Sequence, residues 1–294
     1  MSVYINPYTD FGFKRLFGEE AHKELLIDFL NELLPLSSKI ATLTFKSPEQ
    51  MGDTSSNRKA VYDIYCQSAD GTFFIVEMQK AFQEYFKDRT IYYSTFPIRT
   101  QAKKGKWDYQ LSMVYCVAIL AFEFGNKELL EIDEEIFEED FYHEVQLKDQ
   151  RNRVFYPKLK YFFLEMPNFN KTEDQLTNRF EKWIYFLKNL EDFTEIPSIL
   201  NEPIFQEAFE VAKVANFNQS QLDAYEESLK DYRDYHNTMD SAVKVAVTAA
   251  LNEQTKETII RTLKRGKTAL EDIAEDNDVP LELVLQIQEE MKKT

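Results

Sequence analysis

The stretch Val61-Tyr62-Asp63-Ile64-Tyr65-Cys66-Gln67-Ser68, followed after Ala69-Asp70-Gly71 by Thr72-Phe73-Phe74-Ile75-Val76-Glu77-Met78-Gln79, decides how this chain is read. Two β-rich apolar runs flank a turn that ends in glycine, which predicts a hairpin. Each run carries one acid in its middle, and a charge inside an apolar strand needs a partner. Side chains alternate along a strand, so Glu77 and Gln79 share one face while Val76 and Met78 take the other.

Loop length sets the rest. A three-residue loop of Ala69, Asp70 and Gly71, with Gly71 in the left-handed region, pairs Ser68 with Thr72 and brings Asp63 opposite Glu77. A two-residue Asp70-Gly71 loop would pair Asp63 with Met78 and send the acids to opposite faces. The longer loop is the expectation. Carboxylates so placed lie about 5 Å apart and repel unless a cation sits between them or one is protonated. Oxygen donors favour magnesium, or manganese. Such a cation would activate a water and offset charge on a phosphodiester under in-line attack, with Gln79 facing the same water or phosphate. A glutamine can position a nucleophile but cannot remove its proton at neutral pH. The competing reading pairs Asp63 and Glu77 with Arg58, Lys59 or Arg89.

Around this hairpin, Leu25, Leu26, Phe29, Leu30, Leu33 and Leu34 repeat at helical spacing over Lys23–Leu34 and stop at Pro35. Residues 81–104 are expected to be helical with a break at Pro97. Met113 to Phe122 suits a buried central strand, and Lys158 to Met166 a strand ending at Pro167. Glu123 to Glu144 holds ten acids and one base, Lys127, and is expected to be a solvated connection. Beyond Pro167 the pattern turns helical: Phe180, Trp183, Ile184, Leu187 and Leu190 make a stripe, and Gln219 to Gly266 reads as one or two long helices. Ala269 to Ile287 reads as two short helices broken at Asn277, Asp278 and Pro280, a pattern shared by helix-turn-helix segments and ordinary bundles. The expected organisation is an α/β core over 1–167 and a helical region over 168–294.

Composition is that of a globular chain: 294 residues, 44% hydrophobic, with only 7 glycines and 9 prolines. The N-terminus lacks a basic-then-apolar leader and no run is long enough for a membrane span, so the cytoplasm is the expected location and no membrane partner is expected. Cys66 and Cys116 sit in strand-like runs, as reduced core thiols do, and His22, His143 and His236 lack ligand spacing. A net charge of −16 disfavours a nucleic-acid partner at first sight. Residues 1–110 are nevertheless balanced, with 14 basic and 14 acidic side chains. Within them Lys87, Arg89, Arg99, Lys103, Lys104 and Lys106 interleave with Tyr92, Tyr93, Phe96 and Trp107, a pattern that can track phosphates or simply be a solvated helix face.

At these residues the chain resembles the recombination-promoting nuclease and putative transposase family of the PD-(D/E)XK superfamily. Asp10-Phe11-Gly12-Phe13-Lys14-Arg15-Leu16-Phe17-Gly18 resembles its opening signature, Val61 to Ile64 with Val76 to Gln79 its core, and Lys182 to Leu187 its later helical part. Arg89 and Tyr93 fall in the helix after the core. The resemblance implies a restriction-endonuclease-like mixed sheet flanked by helices, followed by a mainly helical C-terminal region. It also implies metal-dependent DNA cleavage connected with recombination or mobile elements. Asp63 and Glu77 match the two acidic positions, and Gln79 stands where the superfamily usually has lysine, as in this subgroup. Asp10 is a further catalytic candidate, although an acid ahead of a helix is commonly an N-cap. Glu24 points away from the apolar face of its helix. Lys14, Arg89, Arg99, Lys103 and Lys104 are the DNA-contact candidates. Two rivals stand beside the endonuclease: a weak or inactive DNA-binding or interaction module on the same scaffold, and an acidic C-terminal half that contacts a basic partner or folds back as an inhibitor.

Overall fold

The computed structural model describes residues 2–50, 60–81, 83–102, 108–123, 141–265, 268–277, 279 and 281–293. They fall into two compact units, Met1–Tyr232 and Arg233–Thr294. The expected division at 167 lies inside the first of them.

Among its described residues the first unit is built on eight strands: β1 (Leu43–Phe45), β2 (Glu49–Gln50), β3 (Ala60–Val61), β4 (Ile64–Ser68), β5 (Phe73–Gln79), β6 (Val114–Leu120), β7 (Tyr142–Lys148) and β8 (Val154–Glu165). Six form one sheet in the order β1-β4-β5-β6-β8-β7, and β2 and β3 make a small separate pair. β5, β6 and β8 run parallel at the centre, while β1, β4 and β7 are antiparallel to their neighbours. Every residue of β6 is buried. This explains the unbroken apolar run: a central parallel strand has no solvent face.

Helices cover both faces. α1 (Asp10–Phe17), α2 (Lys23–Leu33), α4 (Arg179–Asn189) and α5 (Pro203–Ala212) share one apolar core with Ile64, Cys66, Phe74, Val76, Tyr115 and Val117 of the sheet. α3 (Phe86–Thr100) covers the other face, where Phe86 and Phe96 pack with Tyr65, Ile75, Cys116 and Phe163. This mixed sheet between helices is a restriction-endonuclease-like α/β fold, followed by a helical C-terminal region. α6 (Gln219–Arg265) is one long helix and enters the first unit with its opening turns. In the second unit α7 (Leu270–Asp276) and α8 (Leu281–Lys293) pack through Ile273, Ala274, Val284 and Ile287. Two helices with a break between them were expected here; Asp278 and Pro280 lie outside the described residues. No helix among the described residues is long and apolar enough to cross a membrane.

The hairpin has the longer loop. Gly71 sits at φ 89°, its N–H donates to Ser68 O at 3.0 Å, and Ser68 N–H donates to Thr72 O at 3.0 Å. Ile64 pairs with Val76, the last pair of this ladder, and Asp63 follows as a bend next to Glu77. Cys66 and Cys116 are buried free thiols, and Glu24 is exposed.

Three expectations need correction. The connection expected over Glu123–Glu144 contributes its last residues to β7, an edge strand whose polar sequence Tyr-His-Glu-Val-Gln-Leu-Lys hides it from an apolarity pattern; residues 124–140 lie outside the described residues. Helix α3 begins at Phe86 rather than near 81, after Tyr85 at φ 62°. It also runs through Pro97 instead of breaking there. A proline cannot bond to the carbonyl four residues back, which would strand Tyr93 O. The Tyr62 hydroxyl donates to that oxygen at 2.9 Å, so the helix continues with its carbonyl satisfied.

Candidate active site

Asp63 occupies a bend just ahead of β4, and its position follows from how the ladder ends. With 64 and 76 as a hydrogen-bonded pair, the next bond would run from Met78 N–H to Tyr62 O. The backbone turns away instead: Tyr62 N–H donates to Pro48 O at 3.0 Å. The Asp63 carboxylate takes the vacated donor, with Oδ2 2.7 Å from Met78 N. Burial raises the Asp63 pKa most and the charge of Asp10 adds to the rise, while Met78 N–H, Lys14 and Arg89 oppose it; the net effect is upward.

Glu77 lies on the α3 face of β5. Its Oε2 accepts from Gln79 Nε2 at 2.9 Å. Its Oε1 is shut off from solvent and has no hydrogen-bond partner among the described residues. Burial and then the charge of Asp63 push its pKa well above the ordinary glutamate value, and the pull of Arg89 with the hydrogen bonds of the Asp63 backbone N–H and Gln79 does not reverse this. Gln79 is buried, and its Oε1 accepts from Arg89 Nη2. Arg89 also donates to Gln83 Oε1 and lies over the rings of Phe86 and Tyr93, at 5.7 and 5.8 Å. A narrow hollow under α3 is lined by Ile75, Glu77, Gln79, Arg89 and Tyr93, among others.

Asp63 also rims a wide cleft of about 660 Å³ on the α1 side. Asp10, Lys14 and Arg15 of α1, Lys46 and Pro48 beyond β1, and Glu227, Ser228 and Asp231 of α6 line it with Asp63. Asp10 is not the N-cap of α1; Thr9 is, accepting from Gly12 N–H at 3.0 Å, which leaves Asp10 in the first turn facing the cleft. Asp10 and Lys14 pair at 2.6 Å along one helix face. The opening signature thus divides by face: Phe13, Leu16 and Phe17 enter the core and Asp10 and Lys14 line the cleft. Gly12 is required by close packing, since a Cβ there would lie 2.2 Å from Asn6 O.

The sequence candidates therefore group unevenly. Asp63, Glu77 and Gln79 lie along one hairpin, Asp10 and Lys14 share a cleft with Asp63, and Arg89 holds Gln79. Arg99 is exposed further along α3, its guanidinium 4.9 Å from the centre of the Phe96 ring. Lys103 and Lys104 lie outside the described residues, as do Arg58 and Lys59, two of the three cations offered as structural partners for the acids. Sequence reasoning missed Glu227 and Asp231, which carry no signal beyond the acidity of the C-terminal half. It also missed the tie between Tyr62 and Tyr93, which only the Pro97 gap could have suggested.

A mixed sheet flanked by helices in this way is the fold of a PD-(D/E)XK-type nuclease core. The chain belongs to the PD-(D/E)XK nuclease family transposases, whose model matches residues 7–242. No curated protein and no solved structure matches it. Nucleases of this superfamily usually use divalent metals, and the donor set here fits one. Among the described residues Glu77 keeps a buried oxygen without a partner, and both carboxylates are disfavoured in their charged forms by burial. Among the described residues no cluster of three His, Cys, Asp or Glu side chains surrounds a common point. Two carboxylates suffice for an ion that keeps several waters, as magnesium does.

Proposed function

We propose that this protein is a metal-dependent DNA endonuclease serving recombination or mobile elements, with Asp63 and Glu77 holding magnesium or manganese. The observation that carries the reading is the buried Glu77 Oε1, without a hydrogen-bond partner among the described residues and next to the charge of Asp63. Gln79, Arg89 and the Asp63 backbone N–H offset the cost of burying this acid only in part, which is tolerable where a cation completes the site. When bound, the cation would supply an activated water and neutralise charge on the phosphodiester oxygens. Asp63 and Glu77 offer the oxygens, and Gln79 orients Glu77 by holding its Oε2. Gln79 carries no proton away, so the chain contributes orientation here rather than base catalysis. Lys14, Arg99 and, outside the described residues, Lys103 and Lys104 are the proposed phosphate contacts. Asp10 extends the acidic wall of the cleft.

Purified full-length protein is expected to nick supercoiled plasmid with Mg²⁺ or Mn²⁺. An Asp63→Ala, Glu77→Ala variant should lose on the order of 10³-fold in rate, since a catalytic cation contributes several kcal/mol to the barrier. Undiminished cutting by that variant would end the proposal.

A second reading, a DNA-binding module on an inactive nuclease scaffold, draws on Gln79 in place of lysine and on Glu227 and Asp231 lining the cleft beside Asp63. It predicts DNA binding that needs no divalent ion and no cleavage with any metal.

A further inference from the structure

We infer that Arg89 is a positioning residue which, through Gln79, sets the orientation of Glu77 and so organises the cation site; this rests on the nuclease reading above. The geometry leaves Gln79 one orientation. Arg89 has only donors to offer and a glutamate carboxylate only acceptors, so the amide oxygen must face Arg89 and the amide nitrogen Glu77. Both contacts are made that way round: Arg89 Nη2 donates to Gln79 Oε1, and Gln79 Nε2 donates to Glu77 Oε2 at 2.9 Å. A flipped amide would set donor against donor and acceptor against acceptor. The consequence falls on Glu77, because Oε2 is fixed by the amide and Oε1 is the oxygen left over.

Arg89 is itself held from several sides. Phe86, Arg89 and Tyr93 lie on one face of α3, with the guanidinium over both rings, and Gln83 takes a second donor from it. Helix and strand are tied at the same place by the Tyr62 hydroxyl on Tyr93 O at 2.9 Å, one residue from Asp63. Glutamine alone cannot supply the positive charge that a lysine at position 79 would bring beside Glu77. Arg89 supplies it one side chain further out, with the amide between the two charges. A guanidinium engaged in this way is committed to the protein rather than to a DNA phosphate.

The test is a double-mutant cycle on the full chain with Arg89→Ala, Gln79→Ala and the pair, read by Mn²⁺ titration calorimetry, plasmid cleavage and DNA binding in EDTA. Each single variant should lose about 10- to 100-fold in Mn²⁺ affinity and in kcat, the range for residues that orient metal ligands. The pair should lose no more than the worse single variant, because both act on Glu77 along one path. DNA affinity in EDTA should stay within about twofold of wild type, where loss of a phosphate contact would lower it. Arg89→Lys, which keeps the charge but not the two-pronged grip, should fall between wild type and Arg89→Ala, with circular dichroism confirming that each variant folds. Losses that multiply in the double variant would overturn the inference, as would weakened DNA binding with unchanged Mn²⁺ affinity. A wild type that binds Mn²⁺ without cutting DNA would end the nuclease reading alone, and the calorimetric cycle would still decide the role of Arg89. A wild type that binds no Mn²⁺ would end both.

Discussion

Glu181, near the start of α4, and Glu77, on β5, are both carboxylates drawn into the protein, yet their surroundings drive them in opposite directions. Glu181 is 7% exposed and fully served: Lys171 Nζ lies 2.6 Å from Oε1, and the backbone N–H and hydroxyl of Thr177 donate to Oε2 at 2.8 and 3.1 Å. Burial pushes its pKa up, but these partners outweigh it and the carboxyl titrates below the ordinary range. Glu77 has the amide of Gln79 on one oxygen and, among the described residues, no hydrogen-bond partner on the other; burial and then the charge of Asp63 raise its pKa. The difference separates a carboxylate with both oxygens served from one with a single oxygen served among the described residues. Burial alone distinguishes neither; the count of satisfied oxygens does.

The comparison can be broken by neutralising each acid in turn. Glu181→Gln should destabilise the metal-free protein by about 1–3 kcal/mol, as expected when a charged hydrogen-bonding group loses its partners. Its pKa is lowered by folding, so its contribution is present above the ordinary glutamate value of 4.5 and is lost as pH falls through the lowered one. The gap between wild type and Glu181→Gln in thermal unfolding should therefore be widest near neutrality and close in acid.

Glu77→Gln should act with the opposite sign. A raised pKa means that the folded state favours the protonated form, so stability present below 4.5 is lost as pH rises through the elevated value. Without metal the variant should melt about 2 °C above wild type near neutral pH, a shift of roughly 1 kcal/mol for a chain of this size. The difference should vanish below pH 4.5. A variant that melts lower at neutral pH would mean that Glu77 is a structural group like Glu181.

The same logic applied to an uncharged oxygen gives the smallest effect. Tyr62→Phe should cost about 1 kcal/mol by leaving Tyr93 O without its donor. Pro97→Ala restores the backbone N–H that the helix lacks, so in that background Tyr62→Phe should be nearly neutral in chemical denaturation. Equal losses in both backgrounds would show that Tyr62 acts by packing alone.

Much of the fold was legible because its strongest signals are local. The Lys23–Leu34 periodicity gave α2, the Phe180 to Leu190 stripe gave α4, and the apolar run after Met113 gave β6. Gly71 fixed the loop length, and through it the register that pairs Ile64 with Val76 and leaves Asp63 just beyond the ladder. What stayed illegible depends on groups distant in sequence. Pro97 reads as a break until Tyr62, 31 residues from Tyr93, supplies the missing donor. β7 reads as a loop because an edge strand can be polar on both faces. Glu227 and Asp231 reach the cleft because α6 returns past α1, where Phe11 N–H donates to Ser228 Oγ at 3.1 Å. No short-range pattern encodes that contact. The chain also separates Asp63, on the wide cleft, from Glu77, in the narrow hollow under α3, a distinction that register alone cannot draw.

The most direct test of the central claim is a crystal of the full-length protein soaked in Mn²⁺ and measured at the manganese absorption edge. The account predicts one anomalous peak within ligand distance, about 2.0–2.6 Å, of oxygens from both Asp63 and Glu77, with Glu77 Oε1 among them. A map with no peak at these residues, or with Glu77 Oε1 turned onto a protein donor while manganese binds elsewhere, would contradict it.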